Sequence, residues 1–287
     1  MTTKRAPIEI DETLAQRRLT NWRQTPDTKL AGAEDAPGLI EQVGILTHYP
    51  TSPELPNLYH AYMGDPEAAV DSGHDSPSGH VYSWRWTLGG QEVAFYGTIV
   101  RNRPTWVRWS LLPAVLRLRG EMRSASELYR AGELSNGALR IAEALEGADG
   151  ALATGDLRLE AGFPTGKENR KDYLKSLDEL DRRLMVAKVF SPDSTDMSHA
   201  LVTTRYPEAR AAADKLTREA ALADLLSAYL PAAVYVVPST VAKHLGLSEP
   251  ELRATLRALE AAGQLVEATL PGVRGACYAH SPEVSEG

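Results

Sequence analysis

The chain has 287 residues, 43% hydrophobic and 24% charged, which is enough for two or three small globular domains. Its formal charge of −7 argues against indiscriminate nucleic-acid binding but leaves room for a local basic surface. A single cysteine, Cys277, excludes an intrachain disulfide and fits a reducing cytosol; no apolar run approaches the roughly 20 residues of a membrane span, and the first seven residues lack the apolar core of a signal peptide.

In chain order, residues 1–12 read as loosely attached. A helix is expected over Glu12 to Trp22, with Leu14 and Leu19 on its apolar side, and another over Ala36 to Val43, entered through Asp35 and Pro37. Ile45 to Tyr49 is short, apolar and strand-like. Leu55 to Met63 reads as a short helix. The Gly-, Asp-, Ser- and Pro-rich stretch from Gly64 to Gly79 reads as a loop. A hairpin is expected over Glu92 to Leu111, turning at Arg101 to Pro104. The tryptophans at 84 and 86, and at 106 and 109, read as sheet or core packing, with stacking on an unpaired base as the sharper alternative. Leu112 to Leu118 and Ser126 to Ala131 follow as connectors.

The second half contains one pattern twice. Ala151 to Phe163 leads to a helical run from Glu168 to Leu184, then a strand over Met185 to Phe190. Val236 to Leu247 leads to a helical run from Glu249 to Ala262, then a strand over Gln264 to Leu270. Each copy then has a turn, over Pro192 to Asp196 and over Pro271 to Gly275, and a second strand, over His199 to Arg205 and over Ala276 to His280. This is the pattern of a winged helix-turn-helix, whose second helix has the diameter of a DNA major groove. A long helix over Glu208 to Tyr229 joins the copies. The expected fold class is mainly α with small β-hairpins, built from tandem winged helix-turn-helix modules. The expected domains are residues 1–130, a degenerate winged-helix-like unit with a basic hairpin; 131–207, a winged-helix module; and 208–287, the long helix with a C-terminal module.

Positive charge is concentrated in residues 98–130, where seven arginines face only Glu121 and Glu127. Arg101, Arg103, Arg108, Arg117, Arg119 and Arg123 are therefore candidate phosphate contacts, against the ordinary reading of a solvated rim. The first recognition helix opens with Lys167, Asn169, Arg170, Lys171 and Lys175, residue types that address phosphates and base edges. Leu174, Leu177, Leu180 and Leu184 are its expected buried stripe. The second opens with the N-cap Ser248 and with Glu249 and Glu251, which suit the helix dipole but repel phosphate. Leu252, Leu256 and Leu259 are its stripe, and this copy reads as structural or protein-contacting. No cofactor or metal is expected: His74 and His80 lack neighbouring ligands, and no phosphate-cradling or hydrolase motif occurs.

Residues 39–59 carry a family resemblance. Gly44-Ile45-Leu46 and Pro50 match the lead-in and the proline of a Leu-Gly-Leu-Leu-Gln-Ile-Asp-Pro segment, with Leu55 to Tyr59 following. On these residues and its tandem modules the chain resembles the winged-helix DNA glycosylases that repair alkylated bases and interstrand crosslinks, the AlkZ/YcaQ-like family. The resemblance implies DNA as partner and places the family's Gln-Ile-Asp, or Gln-x-Gln, on Thr47, His48 and Tyr49. In the family the glutamine and carboxylate position the attacking water. Here no carboxylate occupies the motif, and alternation turns His48 away from Thr47 and Tyr49.

Three readings follow. The first is a DNA-binding protein of DNA repair or damage response, nucleoid-associated in the cytoplasm, without standard glycosylase activity. The second is a glycosylase with an altered site that flips a damaged base towards Thr47 to Tyr49. The third is a transcriptional regulator or protein-binding scaffold, with a protein partner or homodimer through the C-terminal module.

Overall fold

A computed structural model describes residues 7–191 and 194–281. The chain is mainly helical with three small sheets. It opens with β1 (Ile8–Glu9) and α1 (Glu12–Asn21). A first unit follows as α2 (Ala36–Val43), β2 (Ile45–Thr47), α3 (Leu58–Met63), α4 (Pro77–Gly90), β3 (Phe95–Val100) and β4 (Arg103–Val107). Helices α5 (Leu112–Arg119) and α6 (Ala125–Arg130) connect it to a second unit. That unit comprises α7 (Asn136–Gly147), β5 (Leu152–Ala153), α8 (Thr154–Glu160), α9 (Lys167–Arg182), β6 (Val186–Ser191) and β7 (Ser194–Leu201). Short α10 (Val202–Arg205) and α11 (Pro207–Lys215) lead to a third: α12 (Arg218–Ala233), β8 (Tyr235–Val236), α13 (Pro238–Leu245), α14 (Glu249–Ala261), β9 (Leu265–Thr269) and β10 (Cys277–His280).

The three units share an element order of helix, strand, two helices and two strands, the order of a winged helix-turn-helix. Their sheets repeat one permutation: β2-β4-β3, β5-β7-β6 and β8-β10-β9, with the last strand always central. The turn after the second helix repeats as well. Gly64, Gly162 and Gly246 sit there with φ of 68°, 69° and 63°, a left-handed conformation that costs glycine nothing. The first helices of the outer units end alike, Gly44 at φ 75° and ψ −37°, Val234 at φ 64° and ψ −45°. For a β-branched residue that backbone is strained, and Val234 is held in it by complete burial.

Several segments differ from the expected elements. Residues 7–12 are not loose: β1 pairs in parallel with β9, Ile8 against Ala268, and Ile10 is buried. Helix α4, Pro77–Gly90, is capped by Ser76 and takes in the last three residues of the expected loop, so Trp84 and Trp86 stand on a helix rather than alternating on a strand. The long helix expected over Glu208 to Tyr229 breaks at Leu216, because Thr217 caps a new helix by accepting the Ala220 N–H. The strand expected over His199 to Arg205 ends at Leu201 and gives way to α10. Of the turn expected over Pro192 to Asp196, residues 192–193 lie outside the described residues, and β7 starts at Ser194.

The main core runs from Trp22 through the first unit, α5, α12 and the third unit to Tyr278, while Ile10 packs with Tyr235, Val266 and Cys277 in a separate cluster. Each fully buried Leu or Ile in it contributes on the order of 1.5–3 kcal/mol. The second unit has its own core, from Leu128 to Val186, including Tyr173 and Leu180. Arg18 ties the chain ends together. It is buried, donates from Nε to the Ala233 carbonyl at 2.7 Å and from Nη1 to Glu54 Oε1 at 3.3 Å, and its guanidinium lies 3.4 Å from the Tyr235 ring centroid. Glu54 in turn accepts the Val237 N–H at 3.0 Å.

Candidate functional site

An exposed basic surface lies at the start of α9. Lys167, Arg170, Lys171 and Lys175 are all exposed, and none makes an ion pair among the described residues. Asn169 is half-buried, with its side-chain amide near the Thr165 carbonyl at 3.5 Å. The inward face differs from the expected stripe by one position. Tyr173, Leu177, Leu180 and Leu184 are buried, with the Tyr173 hydroxyl donating to the Thr154 carbonyl at 3.0 Å, whereas Leu174 is 45% exposed and lies among the cations. One residue is about 100° of helix rotation, so the stripe follows the tyrosine.

The arginines of residues 98–130 do not form one surface. At the hairpin tip Arg101 and Asn102 both have positive φ, 49° and 57°, as a two-residue turn of this kind requires. The tip is docked: the Arg101 N–H donates to the His244 carbonyl at 3.0 Å, and its Nη1 reaches the Thr51 carbonyl at 3.3 Å. Arg108 donates to the Glu41 carbonyl at 3.0 Å and lies 3.8 Å from its carboxylate. Arg117 is half-buried with an unpartnered Nε. Arg119 reaches the Gly246 carbonyl at 3.4 Å, and burial lowers its pKa. Arg123 binds Glu121 and Glu133 at 3.0 and 2.7 Å and holds both carboxyls below the usual range. Only the Arg103 side chain is exposed without a partner among the described residues. Arg101 and Arg119 brace the first unit and α5 against the third unit.

In the second helix pair, Glu249 of α14 pairs with Arg253 at 2.8 Å and Glu251 with Arg218 of α12 at 3.2 Å. Leu252 and Leu256 are buried and Leu259 partly so.

Thr47, His48 and Tyr49 are brought together between the first sheet and α4, and each is engaged internally. The Thr47 hydroxyl contacts the Tyr49 and Pro56 carbonyls at 2.9 and 3.3 Å. Both His48 nitrogens are used: Trp106 Nε1–H donates to Nδ1 at 3.2 Å, so Nε2 carries the proton and donates to the Val81 carbonyl at 2.8 Å. Burial lowers the His48 pKa to about 4, so the ring is neutral near pH 7. The Tyr49 hydroxyl donates to the Ser78 carbonyl at 2.8 Å, and burial raises its pKa. Two of these acceptors, Val81 and Ser78, belong to α4, which covers the motif. The His48 ring is thus a neutral, doubly hydrogen-bonded group near pH 7.

A polar seam was not legible in the sequence. Lys188 Nζ donates to Asp181 Oδ2 at 2.6 Å and Thr98 Oγ1 at 2.9 Å, while the Thr98 hydroxyl donates to the same carboxylate oxygen at 2.6 Å. Beside it, Arg85 stacks 3.6 Å from the ring centroid of exposed Tyr82, and burial pushes Tyr96 up to about 12. These residues are distant in sequence, and no spacing announces them. Among the described residues no group of three or more His, Cys, Asp or Glu could hold a metal, and no helix is long and apolar enough to cross a membrane.

The fold is similar to that of the Streptomyces sahachiroi DNA glycosylase AlkZ. The TM-score is 0.55 at 16% identity, over 94% of this chain and 71% of that one. At that identity the likeness shows the fold. No curated protein matches the sequence. The model of the family described as AlkZ related matches residues 30–228, which takes in β2, the Thr47–Tyr49 motif, the whole second unit and most of α12. That is well over half of the chain, and the chain belongs to the AlkZ-related family.

Proposed function

We propose that this protein is a DNA-binding member of its family, acting in DNA repair or the response to DNA damage, that grips duplex DNA through α9 and lacks the standard glycosylase chemistry. The observation that carries the binding half is the run of unpaired cations, Lys167, Arg170, Lys171 and Lys175, on the exposed second helix of a helix-turn-helix. The family membership and the DNA glycosylase neighbour support a repair relation. The Thr47–Tyr49 contacts carry the catalytic half, since His48 has neither a free lone pair nor a pKa near neutrality. We take the units to divide at residues 130 and 207, with the third serving the architecture or a protein partner.

The test is a pair of assays on one preparation. Fluorescence anisotropy on a labelled duplex reports binding, and alkaline cleavage of alkylated or crosslinked duplex reports abasic sites. Binding without abasic sites is the expected result. Abasic sites that vanish in His48→Ala or Thr47→Ala would establish the altered-site glycosylase instead. A two-fold operator preference with dimerisation would establish a transcriptional regulator.

A further inference from the structure

The groove between α7 and α9 differs from the rest of the α9 surface. Its floor is a helix contact too close for a side chain: a Cβ on Gly137 would collide with Ser176 Oγ and lie 3.2 Å from Phe163 Cζ. The first turn of α7 is thereby set against the middle of α9, in an open groove of about 520 Å³. Asn136 and Gly137 hold the first two positions of the 12-residue α7, where N–H groups have no intrahelical acceptor. The next N–H, of Ala138, is capped by Ser135.

Ser176 lines this groove, is 8% exposed, and its hydroxyl makes no hydrogen bond among the described residues. That hydroxyl lines the groove and is free to donate to an accepting ligand. One turn along α7, the Arg140 guanidinium stacks 4.3 Å from the Phe163 ring centroid and donates to the Gly162 carbonyl at 3.2 Å, while its Nε is buried and unpartnered. Exposed Lys175 stands on the rim, and Asp172 is the one carboxylate on the wall.

We propose that this groove clamps a single phosphodiester of a nucleic-acid backbone. The α7 amides and the Ser176 hydroxyl donate to its oxygens, and Lys175 and Arg140 supply the charge. Against these donors stand the Asp172 carboxylate on the wall and the Glu179 carboxylate, which accepts the Ser135 N–H and hydroxyl at 3.2 and 2.6 Å, while the helix N-terminus adds its positive dipole. The clamp deepens the DNA-binding reading and rests on it. It would fix the register of α9 on the duplex rather than its sequence preference.

The test replaces one phosphate at a time in a labelled duplex with a neutral methylphosphonate. One position should cost the wild-type protein about tenfold in affinity, as loss of a charge-assisted contact does. The same replacement should cost the Lys175→Gln/Ser176→Ala variant nothing, and that variant's salt slope should be shallower by about 0.9. Its Tm should match wild type, because the Ser176 hydroxyl has no protein partner to lose. If the variant binds like wild type while Arg170→Glu/Lys171→Glu does not, the clamp is wrong and the α9 reading stands. If wild-type protein does not bind DNA at low salt, both fall.

Discussion

Trp106 and His48 form a hydrogen bond between the central strand of the first sheet and the residue that follows its edge strand, with the indole N–H donating to Nδ1 at 3.2 Å. The bond fixes the imidazole tautomer and leaves Nε2–H for the Val81 carbonyl of α4. His48, which the family resemblance places in the catalytic motif, thereby ties sheet to helix. Trp106→Phe removes the donor and leaves a buried acceptor unpaired, so it should cost about 1–3 kcal/mol in urea unfolding. A neutral outcome would mean that the indole does not hold the ring.

The pH dependence of stability follows from two histidines. Burial lowers His48 and His199 alike to about 4, against about 6.5 in the unfolded chain. Below pH 6.5 the unfolded chain binds protons that the folded one refuses. Stability is therefore complete above 6.5 and lost as pH falls towards 4, by about 3 kcal/mol per histidine over the full window. Urea midpoints at pH 7 and pH 5 should show the drop, and His48→Gln should flatten it. Equal midpoints would contradict the burial of both rings.

Two arginine sites should behave in opposite ways. Arg123 is spent on Glu121 and Glu133 at the surface, so Arg123→Ala should leave DNA affinity unchanged and the urea midpoint close to wild type. Charge reversal of Arg170 and Lys171 removes two free cations and adds two anions, and should weaken binding by more than about tenfold at low salt. Anisotropy titrations of the two variants side by side decide the matter, and a larger loss for Arg123→Ala would move the interface to the 98–130 segment.

Arg18→Met should destabilise the chain by about 3–5 kcal/mol, because it strands the Glu54 carboxylate inside. Arg18→Met combined with Glu54→Leu should recover much of that loss. Chemical denaturation of both variants gives the comparison, and equal losses would mean that packing rather than charge dominates.

Local pattern made the second and third units legible, because each places its apolar stripe, glycine turn and strands within one continuous segment. The basic face of α9 was legible for the same reason. Partnerships across the chain were not. Arg101 finds Thr51 and His244 and Arg119 finds Gly246, so part of a cluster that looks free in sequence is taken up by distant carbonyls, and Arg18 finds Glu54 and Ala233 from across the chain. Helix α4 was hidden because Tyr82 and Trp86 interrupt the buried series Val81, Trp84 and Leu88. On α9, Leu174 and Tyr173 are neighbours of equal apolar promise, and only packing against Thr154 and Phe163 decides which turns inward.

The central claim is that α9 holds duplex DNA through its free cations, and the salt dependence of binding tests it most directly. Four phosphate contacts, one each for Lys167, Arg170, Lys171 and Lys175, should give a slope of about −3.6 in log affinity against log salt. That slope, collapsing towards −2 in Arg170→Glu/Lys171→Glu, is the predicted result. No binding at low salt, or a slope untouched by the charge reversal, would contradict it.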